Sequence, residues 1–188
     1  MSSDVREQSW VNNVLQYWFG ELTYDDWFTR KDQTDKAITE RFLSLYRSVV
    51  NAVPKEAYGE PRAALAAIIV LDQFPRNMFR GKPEAFATDD LALELARNAI
   101  DRQFDAALEE RMRHFLYMPF MHSEVLADQE RCVSLFKSLG DGGSAKYAVE
   151  HRDIVARFGR FPHRNKTLGR ESTPDELAFL SGHDGFGQ

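Results

Sequence analysis

Cysteine is almost missing from this chain. Cys132 stands alone among 188 residues, so no internal disulfide is available, and a cytoplasmic setting is expected. The N-terminal Met-Ser-Ser-Asp-Val-Arg-Glu has neither a basic start nor an apolar core, and no signal peptide is expected there. The longest strictly apolar run, Ala63 to Leu71, is far short of the ~20 residues needed to cross a bilayer. No segment alternates apolar and polar residues as a half-buried strand does. Several chemical signatures are absent too. There is no His-Glu-x-x-His pair for a metal, no glycine-rich phosphate loop and no Gly-x-Ser-x-Gly elbow. His151-Arg152-Asp153 matches the start of a kinase catalytic loop, but Phe158 stands where that loop requires asparagine. Neither a metal nor a cofactor is expected.

What the chain does have is helical periodicity. Its length suits one core and one domain over 1–188. Trp10, Val14 and Trp18 repeat at helical spacing, with Gly20 as the expected stop. Ile38, Phe42, Leu45, Val49 and Val53 mark a longer amphipathic helix closed by Pro54. Pro61 suits a first helical position, and the alanine-rich stretch from Ala63 to Phe74 is apolar almost all round, which predicts a central helix. Leu65, Ile68, Ile69 and Asp72 share its stripe. Thr88 is the expected N-cap of a helix carrying Leu91, Leu95 and Ala99. Leu108 to Met118 forms another, broken at Pro119. Ser123 caps the next, which carries Leu126, Cys132 and Phe136 and stops at Gly140. Asp141-Gly142-Gly143 reads as a turn before a helix from Ser144 to Phe158, with Tyr147, His151, Ile154 and Phe158 aligned and Gly159 at its end. Thr173-Pro174-Asp175-Glu176 is a capping box for a short helix, Pro174 to Leu180. Trp27-Phe28 reads as a loop whose aromatics pack over the helices. The fold class is therefore all-α, with short connections that favour antiparallel neighbours.

Charge is unevenly spread. From His151 to Arg170 there are six cations and one acid, a local +5 in a chain of net −5 that leaves −10 for the rest. The overall sign argues against nucleic acid as a partner. The local sign points either to an anion site or to ion pairs with the acidic remainder. Two Phe-Pro stretches that end in Arg-Asn focus the question. Phe74-Pro75-Arg76-Asn77 and Phe161-Pro162-His163-Arg164-Asn165 each put a proline where a helix is expected to stop. In each, an asparagine suited to a left-handed turn follows the arginine. The arginines have two readings: capping of helix C-terminal carbonyls, or a fork for a carboxylate or phosphate.

Three stretches carry a resemblance. They are Asp72 to Asn77, the Tyr117-Met118-Pro119-Phe120-Met121-His122-Ser123-Glu124 segment, and His151 to Asn165. In this order they resemble a largely bacterial family of uncharacterised proteins, domain of unknown function 924. The resemblance runs from Trp18-Phe19-Gly20 to the Thr173-Pro174 box. It implies tetratricopeptide-like helix pairs in a right-handed α-α array, and it implies no reaction.

From the residues, the expected function is binding of an anionic small molecule or a protein partner in a polar cleft. The ligand-binding candidates are Arg76, Arg80, His122, Glu124, His151, Arg157, Arg160 and Arg164. In this reading the arginines grip the anion, His122 and His151 orient it, and Asp72 or Glu124 steadies the arginines. The alternatives are a hydrolase- or transferase-type enzyme with His122 or His151 as general base, a scaffold for protein partners, and a buried lock that only holds helices together.

Overall fold

A computed structural model of the chain describes residues 2–140, 142–183 and 186, with side chains from residue 9 onward. All regular structure among the described residues is helical, and none of its helices is long and apolar enough to cross a membrane. Helix α1 (Ser2–Gln16) buries Val11, Val14 and Leu15. Gly20 does not end it as expected. The helix instead widens into a π turn, Tyr17–Glu21, with Leu22 N–H donating to Tyr17 C=O at 3.1 Å. That extra turn swings Tyr17, Trp18 and Phe19 into the core together.

Trp27 and Phe28 lie on a short helix, α2 (Tyr24–Phe28), rather than in a loop. Thr23 starts it, its N–H and hydroxyl both donating to Asp26. Trp27 donates its indole N–H to Trp18 C=O at 2.9 Å and sits 5.0 Å from the Phe115 ring, covering the core from outside. Helix α3 (Asp32–Asn51) follows, its buried stripe Ile38, Phe42, Tyr46 and Val49 at helical spacing.

The centre of the molecule is one rod formed by three consecutive pieces. Helix α4 (Pro61–Ile68), a π turn (Ile69–Gln73) and helix α5 (Phe74–Met78) run on without a break. Every residue from Ala64 to Asp72 has zero exposure, as the apolar circumference of this stretch predicts. The expected stop at Phe74-Pro75 does not occur. Phe74 keeps helical angles (φ −58°, ψ −39°), and its N–H reaches back to Ile69 C=O. Widening the turn before Pro75 makes room for the pyrrolidine ring. Proline has no N–H for Leu71 C=O, and the Thr88 hydroxyl supplies the missing donor at 2.6 Å. Thr88 thus sits at the N-cap position of α6 (Asp89–Asp101) but spends its side chain on the rod, not on its own helix.

Proline is also carried inside α7 (Glu110–His122), which continues through Pro119 for one further turn and so brings His122 along. Ser123 does not cap α8 (Leu126–Ser138), whose N-cap is Val125. Its hydroxyl instead bonds Asp128 at 2.8 Å. Gly140 (φ 74°) and Gly159 (φ 70°) take left-handed angles next to the ends of α8 and α9 (Gly142–Phe158). Gly142 and Gly143 are already helical, and Asp141 lies outside the described residues. Tyr147 is exposed, contrary to its place on the expected stripe. Neighbours in sequence pack on one another, α6 on α7, α7 on α8 and α8 on α9, while α4 packs against α6 and α3 against α5.

After α9 the chain folds back. Phe161 is extended (φ −91°, ψ 104°), as expected before Pro162. It is buried with Ile154 and Val155 in a small core of its own. Neither Asn77 nor Asn165 adopts a left-handed turn. Asn77 is within α5, and Asn165 is helical (φ −56°, ψ −51°). Their amides act as donors, Asn77 to Asp35 and Asn165 to Ser172 and Glu176. Thr173 caps α10 (Pro174–Leu180) in the expected box, with Glu176 N–H on its hydroxyl and its own N–H on Glu176. Thr173→Ala is expected to lower the unfolding free energy in urea by about 1 kcal/mol, and Thr173→Ser to leave it nearly unchanged.

Candidate functional site

Asp72 is the anchor. The π turn presents its carboxylate inside the core, where one oxygen meets His122 Nδ1 at 2.7 Å and the other accepts from Gln73 Nε2. Burial raises this carboxyl, but His122 and Arg76 outweigh burial and hold it below the usual range. Asp72 is therefore an anion at neutral pH, and His122 Nδ1 must be the donor. Burial, reinforced by Arg76, lowers the His122 imidazole, with Asp72 opposing. The ring is neutral at neutral pH, and its Nε2 is left with a lone pair.

Arg76 projects from the same rod. Its guanidinium donates to Asp72 C=O (2.8 Å), Ala85 C=O (3.2 Å) and both carboxylate oxygens of Asp89 (2.9 and 3.0 Å). Arg164 arrives from the folded-back segment. It donates to His122 C=O at 3.0 Å and reaches Asp89 at 3.4 Å. Its guanidinium lies between two phenyl rings, 4.8 Å from Phe86 and 4.6 Å from Phe161. Only 5% of the side chain is exposed, yet its Nε has no hydrogen-bond partner among the described residues. Burial and then Arg76 lower it to about 10, so it stays charged.

Asp89, His122, Ser123, Glu124 and Arg164 line one cavity of about 240 Å³ with Phe86 on its wall. Two of its three carboxylates already have cations. Asp89 is held by Arg76, and Glu124 by both nitrogens of Arg170 at 2.7 and 2.9 Å. Glu124 also accepts from Phe161 N–H at 2.8 Å. Arg170 outweighs the effect of burial and lowers the Glu124 carboxyl. Asp90 is the third acid, on the exposed rim.

The eight candidate residues thus divide. His122, Glu124 and Arg164 share the cavity, and Arg76 supports it through Asp72 and Asp89. Arg80 is bound by both oxygens of Asp35 (2.8 and 2.9 Å). Arg160 is bound by both oxygens of Glu176 (2.7 and 2.8 Å) and by Glu171 C=O. Neither lines the cavity. Arg157 is exposed, 4.6 Å from the Phe158 ring, and borders a second hollow of about 530 Å³ beside Phe179. His151 is buried outside the cavity. Its Nδ1–H donates to Tyr147 C=O at 2.8 Å, and the ring lies flat on Phe186 at 3.9 Å. Burial lowers it to about 3.

Asp89, Phe86 and Arg170 were not singled out by sequence. Asp89 looks like any acid in a first helical turn, and nothing local marks it as the partner of two arginines. Among the described residues, no group of three His, Cys, Asp or Glu side chains is placed to hold a metal. Cys132 is fully buried, and burial raises its thiol.

Fold and site together define an all-helical protein with a small polar pocket built on a buried Asp-His-Arg network. The chain belongs to the family described as bacterial protein of unknown function (DUF924), whose model matches residues 14–184. It is similar to the solved structure of a protein of unknown function, ATU0120 from Agrobacterium tumefaciens, at 38% identity. The match covers 94% of this chain and 99% of that one, with a TM-score of 0.89. No curated protein matches the chain.

Proposed function

We propose that the cavity beside Arg164 binds a small molecule carrying one carboxylate or phosphate group. The observation that carries this reading is Arg164 itself. A guanidinium taken out of water is costly unless its donors are used, and Arg164, on the wall of an open hollow, uses only Nη1 in hydrogen bonds among the described residues. The two phenyl rings fix its plane, so little side-chain freedom is lost when an anion docks. Asp89, Asp90 and Glu124 on the same wall limit the ligand to a single anionic group and disfavour polyanions. A volume of about 240 Å³ is below the usual range for drug-sized ligands and suits a small metabolite.

Calorimetric titration with inorganic phosphate and with butyrate, which carries one carboxylate, tests this. Saturable binding of at least one is expected, weakened at least tenfold by Arg164→Gln. Ala87→Trp fills the cavity mouth without touching the polar network and is expected to abolish binding at unchanged melting temperature. Absence of binding to both probes, or binding that survives both substitutions, ends the proposal.

A further inference from the structure

We propose that Asp72 and His122 form a proton-transfer pair that activates water against a small carboxylic ester bearing a second, free carboxylate. This rests on the binding reading above and names its substrate class. Three observations converge. The buried carboxylate holds Nδ1, which fixes the tautomer and leaves Nε2 as acceptor. His122 makes no other side-chain hydrogen bond among the described residues, and it lines the same cavity as Arg164. The one lining hydroxyl, Ser123, is already engaged by Asp128 and by Val125 N–H, so water is the nucleophile at hand.

The step is as follows. Nε2 takes a proton from water as the water oxygen bonds to the ester carbonyl carbon. Asp72 stabilises the imidazolium that forms. The imidazolium then returns the proton to the departing alkoxide as the C–O bond breaks, giving one acid and one alcohol from one ester and one water. Arg164 pairs with the free carboxylate of the substrate. A phosphoryl substrate fits less well. Its transition state spreads charge over three oxygens and calls for several cations, whereas one guanidinium and three carboxylates line this cavity.

Burial and Arg76 keep His122 neutral at neutral pH, as a base must be. The groups facing it are Asp72 and Arg76 from the central rod, Asp89 from α6, Arg164 from the folded-back segment and His151 from α9.

The test is release of nitrophenol from mono-4-nitrophenyl glutarate by the full chain. Saturable turnover is expected, falling by about 10²- to 10⁴-fold in His122→Gln and vanishing in Ala87→Trp. Arg164→Gln is expected to raise KM. Asp72 acts through His122, so Asp72→Asn, which keeps an acceptor but loses the charge, is expected to lower kcat and move the acid limb of the pH–rate profile to lower pH. A structural role alone would leave that limb in place. If butyrate binds in calorimetry but no release exceeds the buffer rate, or release is indifferent to His122→Gln and Ala87→Trp, the hydrolytic proposal falls and the binding reading stands. If butyrate and phosphate both fail to bind, the two fall together.

Discussion

Arg76→Met is expected to destabilise the protein by roughly 3–5 kcal/mol, the range for breaking a buried ion pair from one side. The guanidinium bonds both oxygens of Asp89 and two backbone carbonyls from one planar fork, and it stands 3.8 Å from the Asp72 carboxylate. Its removal leaves Asp72, at zero exposure, with only His122 and Gln73 in the core. It also leaves Asp89 facing the cavity without its main cation. The methionine replaces the packing of the arginine stem, so the loss reports the polar head. Arg76→Lys keeps the charge but cannot reproduce the fork, and an intermediate loss is expected. Equilibrium unfolding in guanidinium chloride at pH 7 measures both. A loss below about 1 kcal/mol for Arg76→Met, the level of an exposed pair, would mean that the network contributes little to stability.

A second large effect concerns acidification. His151 titrates near 6.5 when unfolded and is lowered to about 3 in the fold. The unfolded chain therefore binds a proton that the native state refuses. Stability from this group is full above pH 6.5 and drains away as pH falls toward 3. Between pH 7 and pH 5 the linkage relation gives a loss of roughly 2 kcal/mol from His151 alone. His122 is lowered too and adds to the loss in the same direction. Asp72, Asp35 and Glu124 are shifted downward, and their contributions begin to fade only below the ordinary carboxylate range, near pH 4. Urea unfolding at pH 7, 6 and 5 is expected to show this slope, and His151→Phe is expected to flatten most of it. A slope unchanged in that variant would assign the acid sensitivity elsewhere.

Helical periodicity made the helices legible in sequence, and the central rod was legible from its unbroken apolar circumference. The prolines were misleading. Pro75 and Pro119 read locally as stops, yet a π turn accommodates one and α7 carries the other through. The local rule holds for an isolated helix, but it does not include the Thr88 hydroxyl that satisfies Leu71 C=O from seventeen residues away. The site was half legible for a related reason. Motifs dense in arginine, histidine and proline identified His122, Glu124 and Arg164. They did not reveal which arginines were already occupied, because the partners Asp35, Asp89 and Glu176 are ordinary surface-type acids in sequence. Pairing is set by tertiary distance, and a charge count along the chain does not contain it.

The pocket is closed by chain that follows α9. Phe161, Arg164 and Arg170 all follow α9, while Asp72, Asp89 and His122 are on elements translated earlier. During synthesis the nascent chain can pack its central rod long before the ribosome releases the residues that complete the wall. The wall of the pocket is thus completed only after α9 and the segment behind it have emerged.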